Sequence, residues 1–471
     1  MELSLEESFW ILLVVAIIAW YVYDKYVQRE HQLLVNYPII GRLRYLLEEF
    51  REPFRQYFGD EKFYESKDKL DWVYKAARDL PNYASFSPAQ PLPKPKFMIR
   101  HANIVLNDNE VENSFEVIFG ERRRKPFISK SIIARSAMSD GSISPEGTRA
   151  FVQGSFIGGF PINSGEGGVT SNFFVTHENY DSKYMTIVDS SSLNKSIKRV
   201  AKFLFNGAIA ADVYRKLVFK NDPEAETYIL DMNKKQFYRP NWDAPLEVFP
   251  KEVPSDMPDI VFQISSGLYG TRDKNGKFDA HRYQKVMSFC QMTEIKIAQG
   301  AKQTGGKLSG QKVTPAIAYY RNVEAYKDVF SPNRFPYANS IEELFDFIGT
   351  LQELSGKPVG MKIVISDMQN IEPYAKEIKR RVDLGIDAYP DYITLDSGSG
   401  GSATAPLEMM ERVGLNVRDS VYLVNKVLTD YGVRDKVRIV ASGKILTPDD
   451  IIIVMSLGAD FLQIARGFMM S

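Results

Sequence analysis

The sequence predicts an α/β chain: a (β/α)8 TIM barrel preceded by a transmembrane helix and a helical, extended N-terminal region. Three observations predict it. From about Lys125 onward, short runs rich in Val and Ile alternate with stretches of helical periodicity, as βα units and a parallel sheet require. Roughly eight pieces over this length read as strand ends, which favours a closed barrel over an open doubly wound sheet. No G-x-G-x-x-G turn follows an early strand, which argues against a dinucleotide-binding fold.

Composition sets the outer limits. The chain has 471 residues, 44% hydrophobic and 25% charged, enough for one large core with appendages. Lys+Arg and Asp+Glu both number 59, so no net field points to nucleic acid, and none is expected as a partner. Cys290 is the single cysteine, which excludes an intrachain disulfide and a Cys-ligated metal or cluster within this sequence. His31, His101, His177 and His281 show no H-x3-H or HExxH spacing, so no metal site is expected.

The N-terminus departs from this average. FWILLVVAIIAWYVY, Phe9 to Tyr23, is apolar or aromatic throughout; it is short for a span of about 20 residues, but Ser8 and a snorkelling Lys25 extend it. A cleavable signal peptide is the rival reading, although Glu2, Glu6 and Glu7 precede the stretch and no A-x-A site follows. A core helix is the third reading, weakened by a stretch that is apolar all round. Residues 1–28 are therefore expected to form a single-pass membrane anchor, and Lys25, Arg29, Arg42 and Arg44 after it place the body on the cytoplasmic side. Residues 29–124 read as helices, for example GRLRYLLEEFREPFRQYF, followed by the proline-rich strap SPAQPLPKPKF. Residues 125–471 form the barrel.

Within the barrel the strand-ending pieces are IIARSAMS, GGFPINSGEGG, DIVFQISSG, EIKIAQGAK, VGMKIVIS, DYITLDSGSGGSATAP, Val437 to Ala441, and DFLQIARG. In SIEELFDFIGTLQELSG, Ser340 and Glu343 form a capping box, Ile341, Leu344, Phe345, Ile348 and Leu351 make the apolar face, and Gly356 stops the helix. Thr447 with Asp450 starts another helix, which IIIVMSLGA carries to a glycine.

Three consecutive strands end in glycine: Gly398, Gly400 and Gly401 in SGSGGSA, Gly443 in SGK, and Gly467 in ARG. Bare backbone lets several N–H groups approach an anion, and the last loops of a barrel commonly hold a phosphate this way. A flexible surface loop explains one such cluster better than it explains three in matching positions.

The ordered set ARSAMSDGSIS, PINSGEGG, EIKIAQGAK, KVTPAIAYYR, SPNRFPYANSIEEL, MKIVIS, DYITLDSGSGGSATAP, ASGKILTPDDIIIVMSLGAD and IARGFM resembles the FMN-binding domain of glutamate synthases. The likeness is closer to the shorter, free-standing glutamate-synthase-like proteins and covers roughly Pro126 to the end. It implies a barrel holding FMN, an oxidoreductase acting on CH–NH2 donors, and condensation of 2-oxoglutarate with ammonia before reduction to L-glutamate. FMN phosphate is expected on Gly400, Gly401, Gly443 and Gly467 with Arg466. Lys362 looks like the lysine beside the flavin N1 and O2; Ala137, Met138 and Ser139 resemble the loop along the ring; Gln263 and Lys296 are further candidate contacts. Arg321 matches the arginine that meets the keto acid, with Ser340 beside it, while Glu166 and Lys302 match positions lining the ammonia and substrate cavity.

Departures from the family pattern bear on chemistry more than on cofactor. KQTGGKLSG is one residue shorter than the family run, and Lys307 stands where a glutamine usually lies, so it joins the candidate substrate-binding residues. SGSGGSA keeps paired glycines but lacks the aspartate and the aromatic or histidine that precede them in the family. Residue 2 is Glu2, not the cysteine nucleophile of a glutamine-hydrolysing domain, and no cysteine-rich stretch follows ARGFMMS. Ammonia and electrons are thus expected from outside, with a separate amidotransferase or electron-donor protein as partner. Two alternatives stay open: an FMN barrel for another keto acid, imine or quinone, suggested by KQTGGKLSG, and a membrane-docked accessory subunit without its own turnover.

Overall fold

The computed structural model describes residues 5–28, 32–43, 47, 67–83, 97–112, 114–143, 145–188, 196, 199–200, 237–300, 306–310, 313, 315–400, 409 and 412–471. Two compact units emerge, residues 1–93 with 469–471, and residues 94–468.

In the first unit a helix covers Leu5–Val22 and tightens into a π-helical turn, Tyr23–Val27. Trp10–Val27 is long and apolar enough to cross a membrane, a property it shares with signal sequences and with buried helices. Trp10, Leu12, Val15 and Ile18 are exposed along it. At its end Asp24 is fully buried, pairing with the Arg42 guanidinium and accepting the Ile39 N–H at 3.0 Å. Lys25 donates to the Tyr21 hydroxyl at 3.3 Å. Lys67–Ala76 is helical and buries Leu70 and Val73. The proline-rich strap lies outside the described residues, apart from Phe97.

The second unit is built on eight strands, β1 Ile133–Arg135, β2 Ile162–Asn163, β3 Ile260–Ile264, β4 Met292–Lys296, β5 Val359–Ile363, β6 Tyr392–Asp396, β7 Arg438–Ser442 and β8 Phe461–Ile464. They form one closed barrel in sequence order, every neighbouring pair parallel, and β8 closes on β1 with Gln463 opposite Ala134. Each expected strand piece carries one of these strands; β7 lies one residue beyond its expected bounds. With both faces covered, strands such as IVFQI, VGMKI and YITLD are buried at every position.

Alternation along the strands sorts the interior into three levels. At the N-terminal ends, Ala134, Val261, Met292, Tyr392, Val440 and Phe461 cluster with Phe119 and Phe127. The last two belong to an antiparallel hairpin, Val117–Phe119 with Phe127–Ser129, that plugs this end. Phe119 meets Tyr392 and Phe461 edge-on at 5.4 and 5.2 Å between centroids, and each such buried ring contributes about 1.5–3 kcal/mol. Gly360 makes room for the Tyr392 ring, which a Cβ there would approach to 2.5 Å. Arg123, in the hairpin turn, pins it to the start of β6 through Asp391 at 2.8 Å. The middle level is polar and the upper level charged.

Helix ends follow the sequence with one change. Ser340 caps Ile341–Ser355 by accepting from Glu343 N at 3.1 Å, and Gly356 ends it at φ +71°. The Glu343 carboxylate, however, accepts from Asn339 N at 2.8 Å rather than from Ser340 N. Thr447 caps Pro448–Ser456, with Asp450 accepting from Leu446 N at 3.2 Å.

Candidate active site

The charged level lies where the strands end. Lys362, at the end of β5, stands 3.6 Å from Asp396, which ends β6, and both are buried. Asp396 also accepts the Gly300 N–H at 3.1 Å. Gly400 packs over the same carboxylate, for a Cβ there would sit 3.0 Å from Asp396 Oδ1. On the other side, Lys296 at the end of β4 pairs with Glu166, from the loop after β2, at 3.1 Å.

Arg321 ends the helix Pro315–Arg321 and is buried, its guanidinium 5.1 Å from the Tyr269 ring centroid. Its Nε has no hydrogen-bond partner. Burial pushes its guanidinium below the ordinary arginine range, while Tyr269, Glu166 and Asp140 act in the opposite sense. Gly167 lets it approach, since a Cβ there would be 3.1 Å from Arg321 Nη2. Gly165, at φ +68°, does the same for the Ala137–Ser139 loop: a Cβ would fall 2.5 Å from Ser139 N. That loop is held from beneath by Arg135, which donates to Ser136 O at 2.8 Å and Met138 O at 3.1 Å. Arg135 is fully buried with Nε and Nη2 unpartnered, and burial brings its guanidinium down to about 9.

The glycine turns form a second cradle. Gly443 adopts φ +109°, and a Cβ there would lie 2.3 Å from Ser397 Oγ. Ser397 Oγ is buried without a partner. Ser136 and Ser442 bring their hydroxyls to 3.4 Å between the ends of β1 and β7. A Cβ at Gly467 would lie 3.2 Å from Ile464 Cγ2 and 3.6 Å from Leu446 Cδ2, and Arg466 is half-buried at the start of the final helix, Arg466–Met470.

The structure therefore brings Glu166 to Lys296, Lys362 and Gly400 to Asp396, and Arg321 into the field of Glu166. Gln263 is engaged lower in the barrel, donating to Glu294 at 2.7 Å. Ser340 is an exposed helix cap, and Lys307 is exposed on a two-stranded sheet, paired with Asp328 at 2.8 Å. Lys302 and Gly401 lie outside the described residues. Among the described residues no cluster of His, Cys, Asp and Glu has a metal-binding arrangement. Sequence reasoning missed Asp396, Ser397, Tyr269, Asp140, Arg135 and Glu294; a polar residue inside an apolar strand run was the available signal for Glu294 in MTEIK and Asp396 in YITLD.

A closed parallel barrel with paired charges and glycine cradles at its C-terminal rim is the architecture of a (β/α)8-barrel enzyme. The conserved region in glutamate synthase matches residues 89–471, and the chain belongs to that family of oxidoreductases. The glutamate synthase large subunit-like protein YerD of Bacillus subtilis is 28% identical over 505 aligned positions, covering 98% of this chain and 80% of that protein. An archaeal-type glutamate synthase [NADPH] of a Thermotoga species is 32% identical over 225 residues, 47% of this chain and 40% of that protein. Among solved structures, a mandelate oxidase variant with the monooxide FMN adduct overlaps 78% of this chain and 72% of that chain at 12% identity, with a TM-score of 0.36.

Proposed function

We propose that this protein is an FMN-dependent oxidoreductase of glutamate synthase type, converting 2-oxoglutarate to L-glutamate with ammonia and electrons supplied from outside. The observation that carries the reading is Arg321: a buried guanidinium with an unpartnered Nε, beside the Glu166–Lys296 pair at the barrel rim. Family membership supports the reaction class, and the name of the Thermotoga relative supports the product.

The residues fit FMN. Ser397 Oγ is a buried hydroxyl without a partner beside the Gly443 turn, the combination a phosphate-bearing ligand satisfies. Lys362, Lys296 and the Ala137–Ser139 loop stand on the rim where the ring would be held. FMN supplies the hydride chemistry. The protein's own part is to bind and to handle protons. Arg321 presents a planar fork to one carboxylate of the keto acid, in a dry environment that strengthens the contact. Glu166, paired with Lys296 at 3.1 Å, can hold an ammonium ion or relay a proton. Lys362, held by Asp396, places positive charge where an electron-rich ring gains from it. Residues 1–28 anchor the chain to a membrane with the barrel on the cytoplasmic side, next to a separate electron-donor or amidotransferase protein.

Titration of 2-oxoglutarate against the flavin absorbance tests the reading. Wild type should show a saturable perturbation, and Arg321→Lys should weaken it by about 1–3 kcal/mol with FMN occupancy unchanged, because the charge stays and the fork is lost. An unperturbed wild-type spectrum at millimolar ligand would remove 2-oxoglutarate and leave an FMN barrel for another acid.

A further inference from the structure

The polar middle level of the barrel is organised around one carboxylate. Glu294, on β4, is fully buried and accepts from Asn163 Nδ2 at 2.9 Å, Gln263 Nε2 at 2.7 Å, Thr394 Oγ1 at 2.5 Å and Gln463 Nε2 at 3.2 Å. These four donors come from β2, β3, β6 and β8. Donors from four strands fill the acceptor positions of this carboxyl, and the Gln463 amide turns its NH2 toward it. Its oxygen must point elsewhere.

Gln463 Oε1 is buried and has no hydrogen-bond partner. Its residue lies opposite Ser442 in the barrel register, next to the strand-end hydroxyls of Ser136 and Ser442. A buried carbonyl oxygen left without a donor is costly, and such exceptions in a native structure call for a ligand or an ordered water. What Gln463 requires is an N–H or O–H donor. The oxidised isoalloxazine ring carries a single N–H donor, the imide N3–H.

We propose that Gln463 is a cofactor-binding residue whose Oε1 accepts the flavin N3–H, and that Glu294 is the positioning residue that holds the amide in the accepting orientation. This rests on the FMN reading above. It also gives the buried Glu294 a role other than barrel packing: without it, the amide of Gln463 is free to turn over and offer a donor to a donor.

The test uses the full chain, stripped of flavin and reconstituted with FMN labelled with 15N at N3, and with FMN methylated at N3. Wild type should give an N3 resonance shifted to the hydrogen-bonded position and should bind N3-methyl FMN about tenfold more weakly than FMN, the size of one hydrogen bond. Gln463→Met keeps the length and removes the strong acceptor; it should return the N3 resonance toward its unbonded position and bind the two flavins with nearly equal affinity. Glu294→Gln should retain the fold by circular dichroism and shift the N3 resonance partway. An N3 resonance unaltered by Gln463→Met, in a protein that still binds FMN, overturns the assignment while the cofactor reading stands. Wild type that binds no FMN overturns both.

Discussion

Lys357 sits at the join of β4 and β5, where its Nζ donates to the carbonyls of Met287 at 2.8 Å and Cys290 at 2.6 Å. Burial brings its ammonium down to about 8. The folded protein thus gives up this proton at a lower pH than the unfolded chain, whose lysine titrates near 10.5. Stability from this group is complete above the unfolded value and is lost as pH falls through about 8. Cys290, pushed up to about 12 by burial, works in the opposite sense above pH 9. The lysine is therefore read most cleanly between pH 8 and 9, where wild type should gain up to about 1.4 kcal/mol per pH unit relative to Lys357→Met. Denaturant midpoints of both proteins at the two pH values measure it; parallel curves would show that Lys357 keeps an ordinary proton affinity. At this scale the sequence was partly legible. Lys362 stood out as a charge among apolar strand residues, whereas Arg321, Glu166 and Lys296 were singled out through the family resemblance. Glu294 and its donors other than Gln263 did not stand out, since Asn163 and Gln463 are far apart in the chain and meet only when the barrel closes.

At the level of elements, the turn after β7 shows how a glycine is fixed by its neighbour. Gly443 has both a positive φ of 109° and a side chain pressed against it, Ser397 Oγ, 2.3 Å from where a Cβ would stand. Gly443→Ala should cost at least about 1 kcal/mol from the backbone alone, with the clash added. In a Ser397→Ala background the clash with Oγ disappears, so the cost of Gly443→Ala should fall; equal costs in the two backgrounds, by denaturant unfolding, would mean the turn yields freely. The eight strands could be read from sequence because runs rich in Val and Ile alternate with helical stretches. The hairpin Val117–Phe119 with Phe127–Ser129 could not be read that way. Three-residue strands carry no period, and this pair is defined by what it meets across the chain, Tyr392 and Phe461. The half-shifted cap at Ser340 is a similar case, because the Glu343 carboxylate reaches back to Asn339 only in the folded chain.

For the molecule as a whole, the exposed apolar face of Trp10–Val27 is the feature a membrane would cover. Deleting residues 1–28 should move the protein from the detergent-extracted to the soluble fraction with its flavin retained, because the barrel has its own core and begins at Ile133. Full-length protein washing off membranes with salt alone would count against an anchor. The barrel's closure has a further consequence during synthesis. Its first strand waits for its last: Ala134 pairs with Gln463, 329 residues later by subtraction, so β1 has an unpaired edge while that length is translated. At about 5–20 residues per second this lasts on the order of 15–65 s. An open strand edge is a template for pairing with another chain, and short edge strands are one way to blunt it. Here β1 has three residues and β2 two, against four or five in the rest of the barrel. The strands that stay open longest on the ribosome offer the least edge to a neighbouring nascent chain.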